Sequence, residues 1–218
     1  MKYIPLLFST LAFTGCATQH PVPFSISGET AFIRGQITQE TANSFTEALS
    51  RQKISRVLLD SSGGLVEPAL GIARQIRDRQ LDVEVIGNCF SSCANYIFPA
   101  GRGKTISGLG IVAWHGNIHH LLYLHGTGQR LLPEQDLPYL KNLAQQEDEF
   151  FASIGVDGYI CWFAKVEPYS VRNLYFLGPE DMARFGLKNV AFRPDYALSD
   201  LAPYNTGAEN LRLVTATP

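Results

Sequence analysis

The feature that most constrains this chain is a repeated order of short apolar strand, small-residue turn and amphipathic helix. Residues 31–37 alternate as a half-buried strand does, and Thr38 then reads as an N-cap for a helix with Ala42, Phe45 and Leu49 on one face. Residues 56–60 form a second apolar run that leads into Ser61-Ser62-Gly63-Gly64. Leu65, Ala69, Ile72, Ala73 and Ile76 follow at helical spacing. Residues 83–86 read as a buried strand ending at Gly87, with a short apolar helix over 94–98 beyond Ser91. Residues 109–114 are strand-like and end at His115-Gly116. A long helix is predicted over 133–153, with a kink or a new start at Pro138, and a short one over 179–185 closed by Gly186. Strand and helix in alternation imply right-handed crossovers and an α/β fold around a mostly parallel sheet. Ligands in such sheets sit at the carboxyl ends of strands, which is where Gly63-Gly64, Ser91 and His115 all fall.

The folded part does not begin at residue 1. Met1-Lys2 is a basic start, residues 3–13 are almost uncharged and apolar, and Phe13-Thr14-Gly15-Cys16 follows. This is the pattern of a secretory signal, too short to span a bilayer. The Cys after Thr-Gly resembles a bacterial lipobox, which implies acylation of Cys16, export and a lipid anchor in the membrane. Ala17 in the next position points to the periplasmic face of the outer membrane. The expected organisation is a signal peptide over 1–16, a tether over 17–27 that carries Pro21 and Pro23, one folded domain over 28–194 and a C-terminal tail over 195–218. With a net charge of −2 and no basic stripe or acidic block, nothing calls for a nucleic-acid partner.

Apart from Cys16 the thiols are Cys89, Cys93 and Cys161. In an oxidising compartment two of them tend to pair. A Cys89–Cys93 bond needs Cα atoms within about 7 Å, which a tight turn can supply. The competing reading is three buried, reduced cysteines acting as small apolar side chains.

A serine hydroxyl attacks an acyl carbon only if a base takes its proton and donors stabilise the oxyanion. Ser91 sits at a strand-to-helix turn, beside the backbone N–H of Ser92. Gly63-Gly64 can bring a second N–H to the same oxygen because it lacks side chains. His115, at the end of the next strand, is the natural general base.

At these residues the chain resembles the proteolytic subunit of Clp protease. Phe32-Ile33-Arg34-Gly35-Gln36-Ile37 with Ala42-Asn43 is similar to its first strand and helix, and Asp60-Ser61-Ser62-Gly63-Gly64 to its oxyanion loop. Gly87-Asn88-Cys89-Phe90-Ser91-Ser92-Cys93-Ala94 is similar to its serine turn, and Val112-Ala113-Trp114-His115 to its histidine strand. Phe176-Leu177, Ala183 and Phe185-Gly186-Leu187 are similar to the segment after its acid. The resemblance implies a ClpP/crotonase-like fold of stacked β-β-α units and a homo-oligomer. It implies Ser91 as nucleophile, His115 as base, and Gly64 and Ser92 as oxyanion donors. The expected activity is that of an exported serine hydrolase, a peptidase, acting on a peptide or acyl substrate without ATP, metal or other cofactor. Where the family carries its acid, Arg172-Asn173-Leu174-Tyr175 holds no carboxylate. Asn173 can orient a histidine, and Glu167 or Asp157 can reach in from the preceding loop. A Ser-His dyad is a further reading, and so is a catalytically inactive crotonase-like module that binds a protein partner or an acyl ligand.

Rival motifs weigh less. His115, His119, His120 and His125 crowd one segment, but Gly116-Asn117 argues against a helix there that would align them for zinc. The reading preferred is one catalytic histidine and a polar hairpin tip at Gly126-Thr127-Gly128. Gly101-Arg102-Gly103-Lys104-Thr105 lacks the first glycine of a phosphate loop, since Phe98 stands there, and reads as a turn. Tyr159, Trp162, Phe163, Tyr169, Tyr175 and Phe176 are read as core rather than pocket. Glu147-Asp148-Glu149 is read as a solvated helix face.

Overall fold

The computed structural model describes residues 23–196 and 211–216. The expected signal peptide, Cys16 and the first part of the tether lie outside the described residues. Within them the chain runs β1 (Phe24–Ser27), β2 (Thr30–Ile37), α1 (Gln39–Arg51), β3 (Arg56–Gly64), α2 (Val66–Asp78), β4 (Asp82–Phe90) and one π-helical turn at Cys93–Ile97. It continues through β5 (Lys104–Ile106), β6 (Ile111–Ala113), α3 (Ile118–Gly126), α4 (Leu137–Ile154), β7 (Tyr175–Leu177), α5 (Pro179–Arg184), β8 (Val190–Phe192) and β9 (Arg212–Val214).

The main sheet has seven strands in the order β1-β2-β3-β4-β5-β8, with β6 also paired to β4. Only the β1–β2 pair is antiparallel, so the expected mostly parallel α/β architecture is what forms. β4 divides its length between two partners: Val83–Val85 pairs with β5, and Asn88–Phe90 with β6. The carboxyl end of β4 therefore lies beside β6, the strand that leads to His115. β7 and β9 form a second, two-stranded parallel sheet. A bridge between Trp114 and Tyr175 ties it to the end of β6.

Local sequence explains the main elements. Thr38 caps α1 in a reciprocal box, its hydroxyl accepting from the Thr41 N–H at 3.3 Å while Thr41 Oγ1 accepts from the Thr38 N–H at 3.3 Å. The apolar faces of α1 and α2 close over the sheet, and Phe45, Leu70, Ile72 and Ile76 are fully buried. Pro138 stands in the first turn of α4, where a missing N–H is harmless, so it starts that helix rather than kinking one.

Several expectations are overturned. Phe24–Ser27 belongs to the sheet rather than to a tether, because Phe24 packs edge-on against Phe45 and the strand pairs with β2. Arg212–Val214 belongs to the second sheet rather than to a tail. Residues 118–126 are helical: Asn117, which argued against a helix, is its N-cap, with Oδ1 accepting from the His120 N–H at 3.1 Å. Glu147 is fully buried, not solvated. Its Oε1 accepts from the Tyr96 hydroxyl and, at 3.2 Å, from the Ile118 N–H, which joins α4 to α3 and to the π-helical turn. Lys104 begins a strand, and its Nζ donates to the carbonyls of Gly101 at 2.7 Å and Lys188 at 3.1 Å. Of the aromatic group, Phe163, Tyr175 and Phe176 are core, while Tyr159 is 38% exposed and meets Trp162 edge-on.

Candidate functional site

Ser91 leaves β4 with φ of +54°, a left-handed conformation that a side-chain-bearing residue rarely adopts. Its N–H donates to the Ala113 carbonyl at 3.1 Å, and its carbonyl accepts from the Asn95 N–H at 2.8 Å. The turn is thus held on one side by β6 and on the other by the π-helical turn. The sharp exit from the strand is made at Ser91 itself. Gly87, where the sequence pattern ends the strand, lies inside β4; a Cβ there would stand 2.4 Å from Asp60 Oδ1, which accepts from the Asn88 N–H at 2.9 Å.

Cys89 and Cys93 form a disulfide across this turn, with Cα atoms 5.2 Å apart, and Cys161 is free and buried. Of the two cysteine readings the bonded one is realised, and both half-cystines are fully buried.

The glycine pair packs directly against the turn. A Cβ on Gly63 would stand 2.6 Å from the Phe90 carbonyl oxygen, 2.7 Å from Ser91 Cβ and 2.9 Å from the Ser92 nitrogen. Gly63 has φ of +90°, and its N–H donates to Ser61 Oγ at 3.1 Å. Ser61 in turn donates to the Gly35 carbonyl at 2.6 Å, so the loop is pinned to β2. A Cβ on Gly64 would stand 2.2 Å from the Ile37 carbonyl oxygen. The Ser92 hydroxyl donates to the Gly64 carbonyl at 2.7 Å.

Ser91, Ser92, Gly64 and His115 all line one pocket of about 580 Å³. Val66 and Tyr96 border it, and α3 adds His120, Leu121 and Leu124. Arg130, Lys165 and the Ser170-Val171-Arg172 turn complete it. Burial, followed by the Lys165 ammonium, holds the His115 imidazole below its ordinary value, while a hydrogen bond to its own main chain acts the other way. The same two causes, with His115 itself, bring His120 down to about 4. Burial also lowers Lys165. Both imidazoles are therefore neutral at pH 7, the form in which His115 can accept a proton.

None of the three residues considered for the acid's place lies on this pocket. Asn173 is exposed in the turn before β7, where its carbonyl accepts from Lys165 Nζ at 2.9 Å. Glu167 accepts from the Ser170 hydroxyl at 2.7 Å, and Asp157 caps a short helical turn by accepting from the Tyr159 N–H at 2.9 Å. The charged residue that acts on His115 is instead Lys165, which the sequence reading did not single out. His119 points away from the pocket lining and pairs with Asp148 at 2.8 Å. Among the described residues no group of three or more His, Cys, Asp or Glu side chains is placed to hold a metal ion.

No protein-family model matches the chain, and no curated protein matches it. Among solved structures the chain is similar to a ClpP1 mutant from Listeria monocytogenes, at 16% identity and a TM-score of 0.52. The match covers 77% of this chain and 93% of that one. The fold is ClpP-like.

Proposed function

We propose that this ClpP-like domain is a serine hydrolase, a peptidase, in which Ser91 is the nucleophile and His115 the general base. The observation that carries this reading is the left-handed Ser91 turn, opening on the same pocket as a neutral His115. A non-glycine residue held in that conformation by β6, the π-helical turn and the disulfide presents its hydroxyl outward, as a strand–turn–helix nucleophile must. In the proposed reaction His115 takes the Ser91 proton as Oγ bonds to the acyl carbon. The N–H groups of Gly64 and Ser92 receive the oxyanion, and the imidazolium returns the proton to the leaving amine. Water then repeats the sequence on the acyl-enzyme. Because the described residues of the pocket wall include no carboxylate, the mechanism proposed is a Ser-His dyad with the imidazole positioned by its surroundings.

Export and a lipid anchor at Cys16 are part of the proposal and rest on the N-terminal sequence pattern. A disulfide bracketing the nucleophile supports an oxidising compartment. Assembly of several copies rests on the resemblance noted above.

A second reading, a non-catalytic module binding a partner or an acyl ligand, is favoured by one observation, the cation rather than an anion beside His115. A fluorophosphonate probe separates the two. The hydrolase acylates at Ser91, identified by peptide mass spectrometry, and loses labelling in Ser91→Ala and His115→Ala. Folded, disulfide-intact protein that resists the probe overturns the hydrolase and leaves the binding module.

A further inference from the structure

The pocket wall carries a charge pattern that the hydrolytic reaction does not require. Arg130 follows α3, Lys165 ends the short helical turn Phe163–Lys165, and Arg172 precedes β7. Three separate segments thus bring cations to one cavity, whose lining includes no carboxylate among the described residues. Among the described residues, no ion pair joins any of the three to Asp or Glu. Lys165 is held in place, since Nζ donates to the carbonyls of Arg172 at 2.6 Å and Asn173 at 2.9 Å. An ammonium has three donors, so one N–H is left over. Arg130 and Arg172 are exposed and line the same cavity. Val66, Leu121, Leu124 and Val171 supply aliphatic surface to the same lining.

Like charges gathered around a concave, partly desolvated wall raise its potential and favour an anion there. We propose that the pocket selects peptides carrying a carboxylate next to the scissile bond, received by Arg130, Lys165 and Arg172. This inference rests on the hydrolase reading of the same site. The carboxylate belongs to an acidic side chain or to the peptide's own C-terminus, since the chemistry is the same. A peptide fits better than a phospholipid. A lipid acyl chain needs a continuous apolar channel, whereas this lining mixes a few aliphatic side chains with serine, histidine, asparagine and three cations.

Binding to Ser91→Ala protein tests the proposal without requiring turnover, with four fluorescent peptides matched except for Glu or Gln and for a free or amidated C-terminus. The expected result is binding of the carboxylate-bearing peptides tighter by about tenfold at low ionic strength, weakened by added salt. The preference should fall close to unity in Arg130→Gln/Arg172→Gln, where both side chains are exposed. Arg172→Glu should shift it toward a lysine peptide. Which pair of peptides shows the effect tells side chain from terminus. Equal binding of all four peptides overturns the proposal, as does a preference unchanged in the double variant. Binding to anionic phospholipid vesicles without binding to peptides overturns it also. Fluorophosphonate labelling of the unaltered protein reads the nucleophile separately. Selective binding without labelling removes the hydrolase reading and leaves an acidic-peptide binder.

Discussion

The Ser92 hydroxyl donates to the Gly64 carbonyl at 2.7 Å, so the two residues whose N–H groups are proposed to face the oxyanion are joined directly to each other. The bond crosses from the turn after β4 to the end of β3 and fixes the gap between the donors. Ser92→Ala keeps both N–H groups but frees one from the other and leaves a carbonyl without its partner. One such bond contributes about 1 kcal/mol, so the fluorophosphonate labelling rate should fall by roughly three- to tenfold. That is a smaller loss than removal of a donor itself, about a hundredfold or more.

Gly63→Ala should be far more damaging. The new Cβ would meet the Phe90 carbonyl, Ser91 Cβ and the Ser92 nitrogen, all under 3.0 Å and none the end of a flexible side chain. The backbone at φ of +90° is strained for alanine as well. A loss on the order of 3 kcal/mol is expected in denaturant unfolding, and labelling should be abolished in whatever folds. Gly71→Ala, inside α2 where nothing lies within 4 Å, is the control: it should leave labelling unchanged and raise stability by about 0.5–1 kcal/mol, since alanine suits a helix interior better than glycine.

Reducing the Cys89–Cys93 bond, or replacing both residues with serine, removes a constraint around a short loop. The chain-entropy expectation for so small a loop is about 2 kcal/mol of stability. The larger effect should be on Ser91, whose left-handed backbone the bridge helps to hold. Reduced protein that is still folded by circular dichroism should label more slowly, and reoxidation should restore the rate.

The neutral imidazoles make the protein acid-sensitive. The unfolded chain protonates His120 near its ordinary 6.5, whereas the folded chain does so only at about 4. In that window the unfolded state binds more protons, so stability falls as pH falls. His120→Phe keeps a ring stacked on Trp162 and removes the titration. Its Tm should decline less than that of the parent between neutrality and about pH 4.5. The His115 shift has the same direction, so the acid limb of labelling should lie below the ordinary imidazole value.

Glu147 acts in the opposite direction. Burial raises its carboxyl above the ordinary range despite the bonds from Tyr96 and Ile118, so ionisation in the folded state is delayed. Stability is then lost as pH rises through its folded value, because the unfolded chain releases the proton first. Glu147→Gln keeps an acceptor for both donors and should remove that pH dependence at little cost. Glu147→Ala leaves the buried Tyr96 hydroxyl and Ile118 N–H without an acceptor, and should lose on the order of 3 kcal/mol in equilibrium unfolding.

What could be read in the sequence was set by local pattern. Period-two and period-3.6 runs located β2, β3, β4, α1 and α2, and the positions at strand ends marked Gly64, Ser91 and His115. What escaped depends on partners distant in the chain. Asn117 looks like a helix breaker until its side chain is seen capping α3. Glu147 looks like one charge of a solvated run, and only the Tyr96 hydroxyl shows why it is inside. Lys165 carries no motif; the loop that returns its ammonium to the carbonyls of Arg172 and Asn173 puts it on the same pocket as the histidine. β8 and β9 are three residues each, too short to show a period.

β9 reaches β7 from far downstream, and β7 is a Tyr-Phe-Leu strand that β9 covers along its full length. Were Arg212–Val214 cleaved away or left unmade, the main-chain groups on that side of β7 would be open to any other extended chain. Exposed apolar edges of this kind add strands from neighbouring molecules. Proteolytic trimming at this end should therefore appear first as aggregation, before any change at the serine turn.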